Sequence, residues 1–516
     1  MVKNLMANIR RSRGGGVLRS GRKNFVKNFF WLAPALAILS GCGTSVCFTK
    51  KDVDPDVADS RAWYRPEMVD VVDKGIRAAD YGVVNSHVIG PATRPVSYAF
   101  RILTFSKDTV FDTLTGPASF FYQENAVPPP IVEGEGMDLG RFEKDVFRLT
   151  RRNPSRGEIS FLIGGDEFFT RLEEEIMNAE RSIDIRLFIF DNDDYAVRVA
   201  DLLKEKSCQG VKVRVLLDAM GQVLGEGKPP SDLPENFTPP YSMVNYLKKD
   251  SSIQVRLRPS ALLRGDHTKT IIIDEKVCFT GGMNIGREYR YHWHDMMVEL
   301  KGPVLSEIMY EFDLAWAHSG FWGDLGYALA RSFKQKPQLA AGDGGFPVRL
   351  LYTRVNNPEL YRVQVEAIRT ARKYIWINNA YFSDNEILYG LINARRRGVD
   401  VRIILPQNGN HQIMNKSNII TANILFRNGI KVYFYPGMSH IKAAIYDDWL
   451  CTGSANFDRL SLKDNLELNV ATSHAETVKL LKERLFEEDF KRSRIMNKTL
   501  DADLSDVIAE ILAEQL

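Results

Sequence analysis

The stretch GDHTKTIIIDEKVCFTGGMN (residues 265–284) decides how this chain is read, because SHIKAAIYDDWLCTGSAN (439–456) repeats its pattern. Both run His-x-Lys-x4-Asp into a glycine turn that closes on Asn. The first copy carries His267, Lys269, Asp274, Gly281, Gly282 and Asn284, and the second His440, Lys442, Asp447, Gly453, Ser454 and Asn456. Side chains two apart on an extended chain share a face. Histidine supplies a nucleophile or a proton carrier, and lysine a fixed positive charge. Two such pairs face to face would make a cationic, phosphate-sized pocket with a histidine on either side. In-line attack on a phosphodiester and protonation of its leaving group need that arrangement. Two buried histidines on β-hairpins would account for the imidazoles and leave the repeated lysines unexplained.

Outward from the motifs, the chain reads as an internal duplication from about residue 158. DEFFTRLEEEIMNAE has helical apolar spacing at Phe168, Leu172 and Ile176. It is followed by a buried strand SIDIRLFIF, a helix YAVRVADLLKEKSCQG and a strand VKVRVLLD. YRVQVEAIRTARK, YIWINNAYF, NEILYGLINARRRG and VDVRIILP repeat that order. Continuous apolar strands alternating with helices predict an α/β fold with largely parallel sheets covered on both faces. KQKPQLAAGDGGFP (334–347) reads as the hinge between halves, and the Pro-rich GQVLGEGKPPSDLPENFTPP (221–240) as a loop at the substrate mouth.

The paired motifs and their flanks resemble the phospholipase D superfamily, and within it the bacterial cardiolipin synthases. NIGREYRYHWHDMMVELKGPVLSEIMYEFDLAW follows the first motif, VYFYPGMSH leads into the second, and NFDRLSLKDNLELNV follows it. The similarity covers roughly residues 158 to 495. It departs from the family pattern at Gly282, where serine is usual, and at Arg459, one position early. The resemblance implies two pseudo-symmetric phospholipase D-like αβα domains, 158–335 and 346–516, with the active site at their interface. It also implies two displacements at phosphorus, with His267 as nucleophile and His440 as general acid and base. Lys269, Lys442, Asn284, Ser454 and Asn456 would bind phosphate, and Gly282 would offer its backbone N–H. Asp295 and Glu467, 28 and 27 residues after the histidine of their own half, would orient the imidazoles. Asp274 and Asp447 complete the motifs and are grouped with the catalytic residues, although as turn residues they are expected to bond backbone. His292 and His294 read as surface residues or as neighbours that support Asp295. Arg264 and Arg287 suit either a lipid phosphate or an exposed charged face. No metal or cofactor is called for.

Residues 1–41 contain eight Lys/Arg and no acid, then run through the apolar FFWLAPALAIL to Leu39-Ser40-Gly41-Cys42. This describes a lipoprotein signal peptide, with Cys42 as the lipidated residue. An ordinary signal peptide or an uncleaved anchor is the alternative. Localisation is expected at a bacterial cell envelope, exported and membrane-anchored. Without that leader the chain has 60 bases against 65 acids, a net charge of about −5. A nucleic-acid partner is therefore disfavoured. Cys278 and Cys451 read as small core residues, and no cysteine spacing suggests zinc. Residues 42–157 are expected to be an extension and linker, with apolar residues between Phe100 and Phe121 packed on the catalytic domains or resting on a membrane.

The leading functional expectation is a phosphatidyltransferase acting on phospholipids, with phosphatidylglycerol or a similar lipid as substrate. Phospholipase D hydrolysis, a phospholipase D-like nuclease or phosphodiesterase, and a catalytically inert lipoprotein scaffold are the alternatives. Acceptor choice is not written in the motifs, because alcohol and water would use the same two histidines.

Overall fold

In the computed structural model the described residues are 90–95, 128–226, 233–260, 264–335 and 344–501. The first half supplies seven strands: β1 (Ser155–Ile163), β2 (Ser182–Leu187), β3 (Lys212–Asp218), β4 (Gln254–Arg258), β5 (Thr270–Ile273), β6 (Val277–Gly281) and β7 (Met296–Lys301). The second supplies β8 (Phe346–Arg354), β9 (Asn357–Pro358), β10 (Tyr374–Asn379), β11 (Asp400–Pro406), β12 (Lys431–Tyr435), β13 (Lys442–Tyr446), β14 (Trp449–Gly453), β15 (Glu467–Thr472) and β16 (Arg494–Ile495). The spatial orders match: β1-β7-β6-β5-β2-β3-β4 in one half and β8-β15-β14-β13-β10-β11-β12 in the other. β1 and β8 pair antiparallel, Ser155 opposite Val348, so the halves share one 16-stranded sheet.

The sheet is mixed, which corrects the expectation of largely parallel strands. Only β2-β3-β4 and β10-β11-β12 run parallel. The motif strands β5 and β13 are antiparallel to both neighbours. An antiparallel strand alternates polar and apolar residues only when one face meets water. Every residue of β5 and of β13 is buried, so that alternation is erased.

The expected helices form. Gly165–Asn178 and Asp194–Cys208 flank β2, and Glu359–Thr370 and Asn385–Arg396 flank β10. Gly210 and Gly398 end the second helix of each pair at φ 93° and 92°, a conformation that favours glycine. Each half has its own apolar core. A third core lies across the seam and joins Ile159, Val298 and Phe312 to Leu350, Ile445 and Leu468.

Asp274 and Asp447 are turn anchors. Each has a positive φ, 51° and 50°, just past the end of its motif strand. Asp274 accepts from the backbone N–H groups of Glu180, Arg181 and Ser182, and Asp447 from those of Arg372, Lys373 and Tyr374. That places them at the opposite end of the strands from the histidines, so their inclusion with the catalytic residues is corrected.

Part of the expected linker belongs to the core. Asp138 caps a helix, Leu139–Thr150, whose Phe142 and Val146 are fully buried in the second half. Phe142 meets Trp449 edge-on at 5.1 Å, and Met137 donates its N–H to Asp447 at 2.7 Å. β1 likewise begins at Ser155, before the expected start of the first domain. Part of the expected 221–240 loop is helical, Ala219–Glu226, with Gln222 donating to the Phe190 carbonyl. Arg94, beside the helical turn Gly90–Thr93, donates to the carbonyls of His318 and Gly320. The leader, Cys42, the apolar stretch from Phe100 to Phe121 and most of the 334–347 hinge lie outside the described residues. No described helix is long and apolar enough to cross a membrane.

Phe142→Ala removes a buried ring that nothing nearby can replace. It should lower stability by about 3–5 kcal/mol, read as a shift of the denaturant midpoint in the full chain, while Phe147→Ala on the exposed side of the same helix should barely move it.

Candidate active site

His267 and His440 lie just ahead of β5 and β13, on extended segments that the opposite half holds in place. Leu466 donates its N–H to the Gly265 carbonyl at 3.0 Å, and an isolated bridge pairs Asp266 with Leu466. A second bridge pairs His294 with Ser439, and His440 donates its N–H to the His294 carbonyl at 2.7 Å. Each bridge therefore sets a motif histidine beside the carboxylate that follows the bridged residue on the other half.

The consequence is a crossed pairing. His267 Nδ1 lies 2.9 Å and 3.1 Å from the two carboxylate oxygens of Glu467, and His440 Nδ1 lies 2.6 Å from Asp295. The sequence had matched each carboxylate to the histidine of its own half, and this is a correction. With Nδ1–H donating to a carboxylate, each Nε2 keeps its lone pair. Burial is the main reason both imidazoles sit below the ordinary histidine range. His440 is pushed down to about 3, Lys442 adding to the effect and Asp295 opposing it. Burial, opposed by Glu467 and reinforced by Lys269, lowers His267.

Lys269 and Lys442 are almost wholly buried, and each donates to the carbonyl of its own motif histidine. Among the described residues no carboxylate lies within ion-pair distance of either ammonium. Burial pushes Lys269 down to about 7 and Lys442 to about 8, although Glu467 and Asp295 act in the opposite direction. A buried cation without a counter-ion is costly, and two in one pocket make a site that an anion completes.

Of the other expected phosphate ligands, Ser454, Asn284 and the Gly282 N–H are bonded within the chain. Ser454 donates its hydroxyl to Glu467 at 2.5 Å and accepts from the Leu468 N–H, so it tethers the carboxylate. Asn284 accepts from Ile189 N–H and donates to the Tyr289 hydroxyl, whereas Asn456 is buried near Asp458 with its Oδ1 unpartnered. The Gly282 N–H is used on the Met296 carbonyl. The glycine itself is required: a Cβ there would stand 2.2 Å from Asp295 Oδ1. Where one half has Ser454 bonded to a long Glu467, the other has the shorter Asp295 lying over a bare Gly282.

Arg264 forms a buried ion pair with Asp464 at 2.7 Å, Arg287 pairs with Asp194, and His294 bonds Asp489. Both arginines thus have a carboxylate partner within the chain. Sequence reasoning missed the aromatic walls. Phe188 meets His267 edge-on at 5.0 Å, while Trp293, Tyr289 and Tyr381 surround His440 at 5.1–6.3 Å. Tyr381 continues into an apolar cluster with Met414 and Met438. Asp458 was also missed. Burial lifts its carboxyl to about 7 beside Lys442, Ser461 and Glu467.

A family model described as "Cardiolipin synthase, PLD-like domain" matches residues 172–316 and 365–490, one segment around each motif. The chain belongs to this family. Among curated relatives of this phospholipase D-like protein, cardiolipin synthase A of Pseudomonas fluorescens is 30% identical over 341 residues, 62% of this chain and 65% of that protein. A probable cardiolipin synthase of Bacillus subtilis is 28% identical over 377 residues, covering 70% and 72%. The chain thus spans about two thirds of the length of these relatives. A solved structure of phosphatidylserine synthase from Haemophilus influenzae superposes with a TM-score of 0.58 at 13% identity, over 72% of this chain and 99% of that one. That likeness places the fold.

The depressed lysines make a sign prediction. An anion bound between them raises their affinity for protons, so binding at pH 8 takes protons up. Titrating sulfate, which does not itself ionise there, in two buffers of different ionisation heat should reveal uptake of about one to one and a half protons. Lys269→Met should abolish most of it.

Proposed function

We propose that this protein is a membrane-associated phosphatidyltransferase of the cardiolipin synthase type, acting through a covalent phosphohistidine. The observation that carries the reading is the pair of buried, uncompensated lysines between two histidines whose Nδ1 atoms are held by carboxylates. The cardiolipin synthase names among its relatives supply the substrate class.

His267 Nε2 attacks the phosphorus of one phosphatidylglycerol, and a P–N bond forms as the P–O bond to the glycerol headgroup breaks. His440, protonated in the anion-filled pocket, gives its Nε2 proton to the departing alkoxide. Free glycerol leaves. The hydroxyl of a second phosphatidylglycerol then passes its proton to His440 and attacks the phosphohistidine. Cardiolipin forms, and His267 is released neutral. Lys269 and Lys442 compensate the charge that grows on the non-bridging oxygens in both steps. Glu467 and Asp295 stabilise whichever imidazole is charged at each stage. Ser454 contributes through Glu467, and Asn284 through Tyr289. Export with lipid attachment at Cys42 would keep the enzyme at the surface that holds both substrates, since dual acylation anchors where one chain does not.

Purified enzyme with phosphatidylglycerol vesicles, without nucleotide or added metal, should yield cardiolipin and glycerol, with phosphatidic acid minor. His267→Ala and His440→Ala should each lower turnover on the order of 10²–10⁴-fold, and the double variant hardly more than the worse single. Dominant phosphatidic acid would make the protein a hydrolase. Loss of turnover in EDTA, restored by a divalent ion, would refute the mechanism. Phosphohistidine trapped only at His440 would reverse the two roles.

A further inference from the structure

The helix Gly323–Phe333 carries an apolar face that nothing among the described residues covers. Phe321 and Phe333 are each 82% exposed, Trp322 66%, Leu325 54% and Leu329 47%. Leu325, Leu329 and Phe333 recur every fourth residue along one side of the helix, and Phe321 and Trp322 lie in the turn that leads into it. The opposite side lies flat on the helix Leu305–His318. Gly326 there approaches the Ala317 carbonyl so closely that a Cβ would stand 3.0 Å from it, and Tyr327 meets His318 edge-on at 6.0 Å. Contiguous exposed apolar residues of this size mark an interaction surface.

The charge beside the patch selects the partner. Between Asp324 and Asp343 the sequence has Arg331, Lys334 and Lys336 and no acid; Arg331 is exposed, and the half-exposed Lys334 pairs with Asp313 of the helix beneath. A helix with Phe, Trp and Leu on one side and cations at its end matches the chemistry of an anionic bilayer interface. The cores of protein–protein interfaces are depleted in lysine, by contrast.

We propose that the face formed by Phe321, Trp322, Leu325, Leu329 and Phe333 inserts into the headgroup layer of anionic membranes and holds the body of the protein on its lipid substrate. It rests on the lipid-transfer reading above. The docking is independent of the Cys42 anchor and of either motif.

The test uses the full chain carrying Cys42→Ser, so that no acyl anchor contributes. With vesicles of phosphatidylglycerol carrying brominated acyl chains, tryptophan fluorescence should be quenched. Trp322→Phe should remove that quenching while the protein still sediments with vesicles. Phe321→Ser with Phe333→Ser should weaken sedimentation roughly 100-fold and cut turnover of vesicle lipid in parallel. Turnover of monomeric short-chain phosphatidylglycerol should be unchanged, which also shows that the variant is folded. Unquenched Trp322 at full vesicle binding would overturn the proposal. So would equal binding by the double variant, or a dimer in vesicle-free solution that this variant splits. If the wild type turns over neither lipid form, the transfer reading fails, while the quenching result still decides the docking surface.

Discussion

Everything at the centre of this molecule depends on two hydrogen bonds that cross its internal symmetry: His267 to Glu467 and His440 to Asp295. Each is positioned by a backbone bridge between the halves, Asp266 with Leu466 and His294 with Ser439. A histidine of one half is thus given its tautomer by the other. Neither half contains a complete site, and the reactive geometry comes into being only when the seam assembles. The seam is accordingly well built. β1 pairs with β8, an apolar core spans both halves, and the Arg264–Asp464 ion pair is buried across it.

The electrostatics follow from that enclosure. Removing two imidazoles and two ammonium groups from water disfavours their charged forms, so the histidines are held neutral and the lysines release protons unusually easily. Glu467 and Asp295 lie close enough to temper the effect and remain bonded to the imidazoles. The counter-ion is left for the ligand to bring. The two halves reach the same balance with different parts: a serine tethers the longer carboxylate, and a missing Cβ makes room for the shorter one.

Much of this was legible in the residues themselves. The His-x-Lys pairs, their strands and the helix–strand repeat with its matched Gly210 and Gly398 all follow from local spacing. The partner of each histidine did not, because Asp295 and Glu467 stand at almost equal separations from the motif of their own half, and sequence distance carries no sign of exchange between pseudo-symmetric copies. Strand direction was hidden by burial on both faces of β5 and β13. Arg264 resembled a substrate ligand since its true partner, Asp464, lies 200 positions away in the chain. Leu139–Thr150 did offer a signal, a capping Asp138 ahead of Phe142 and Val146 four apart, but those two apolar positions are few beside the charged residues around them.

The continuous sheet also limits how this pocket can move. Many two-part enzymes open like a clam, parting their lobes to admit substrate and to release product. Here such parting would peel β1 from β8 and pull each carboxylate off its imidazole, disarming both histidines together. Substrate and product must therefore come and go while the halves stay joined, and any gating falls to side chains and loops around the histidines. A long-tailed substrate of the kind proposed suits such a joined pair, because only its headgroup has to reach the histidines.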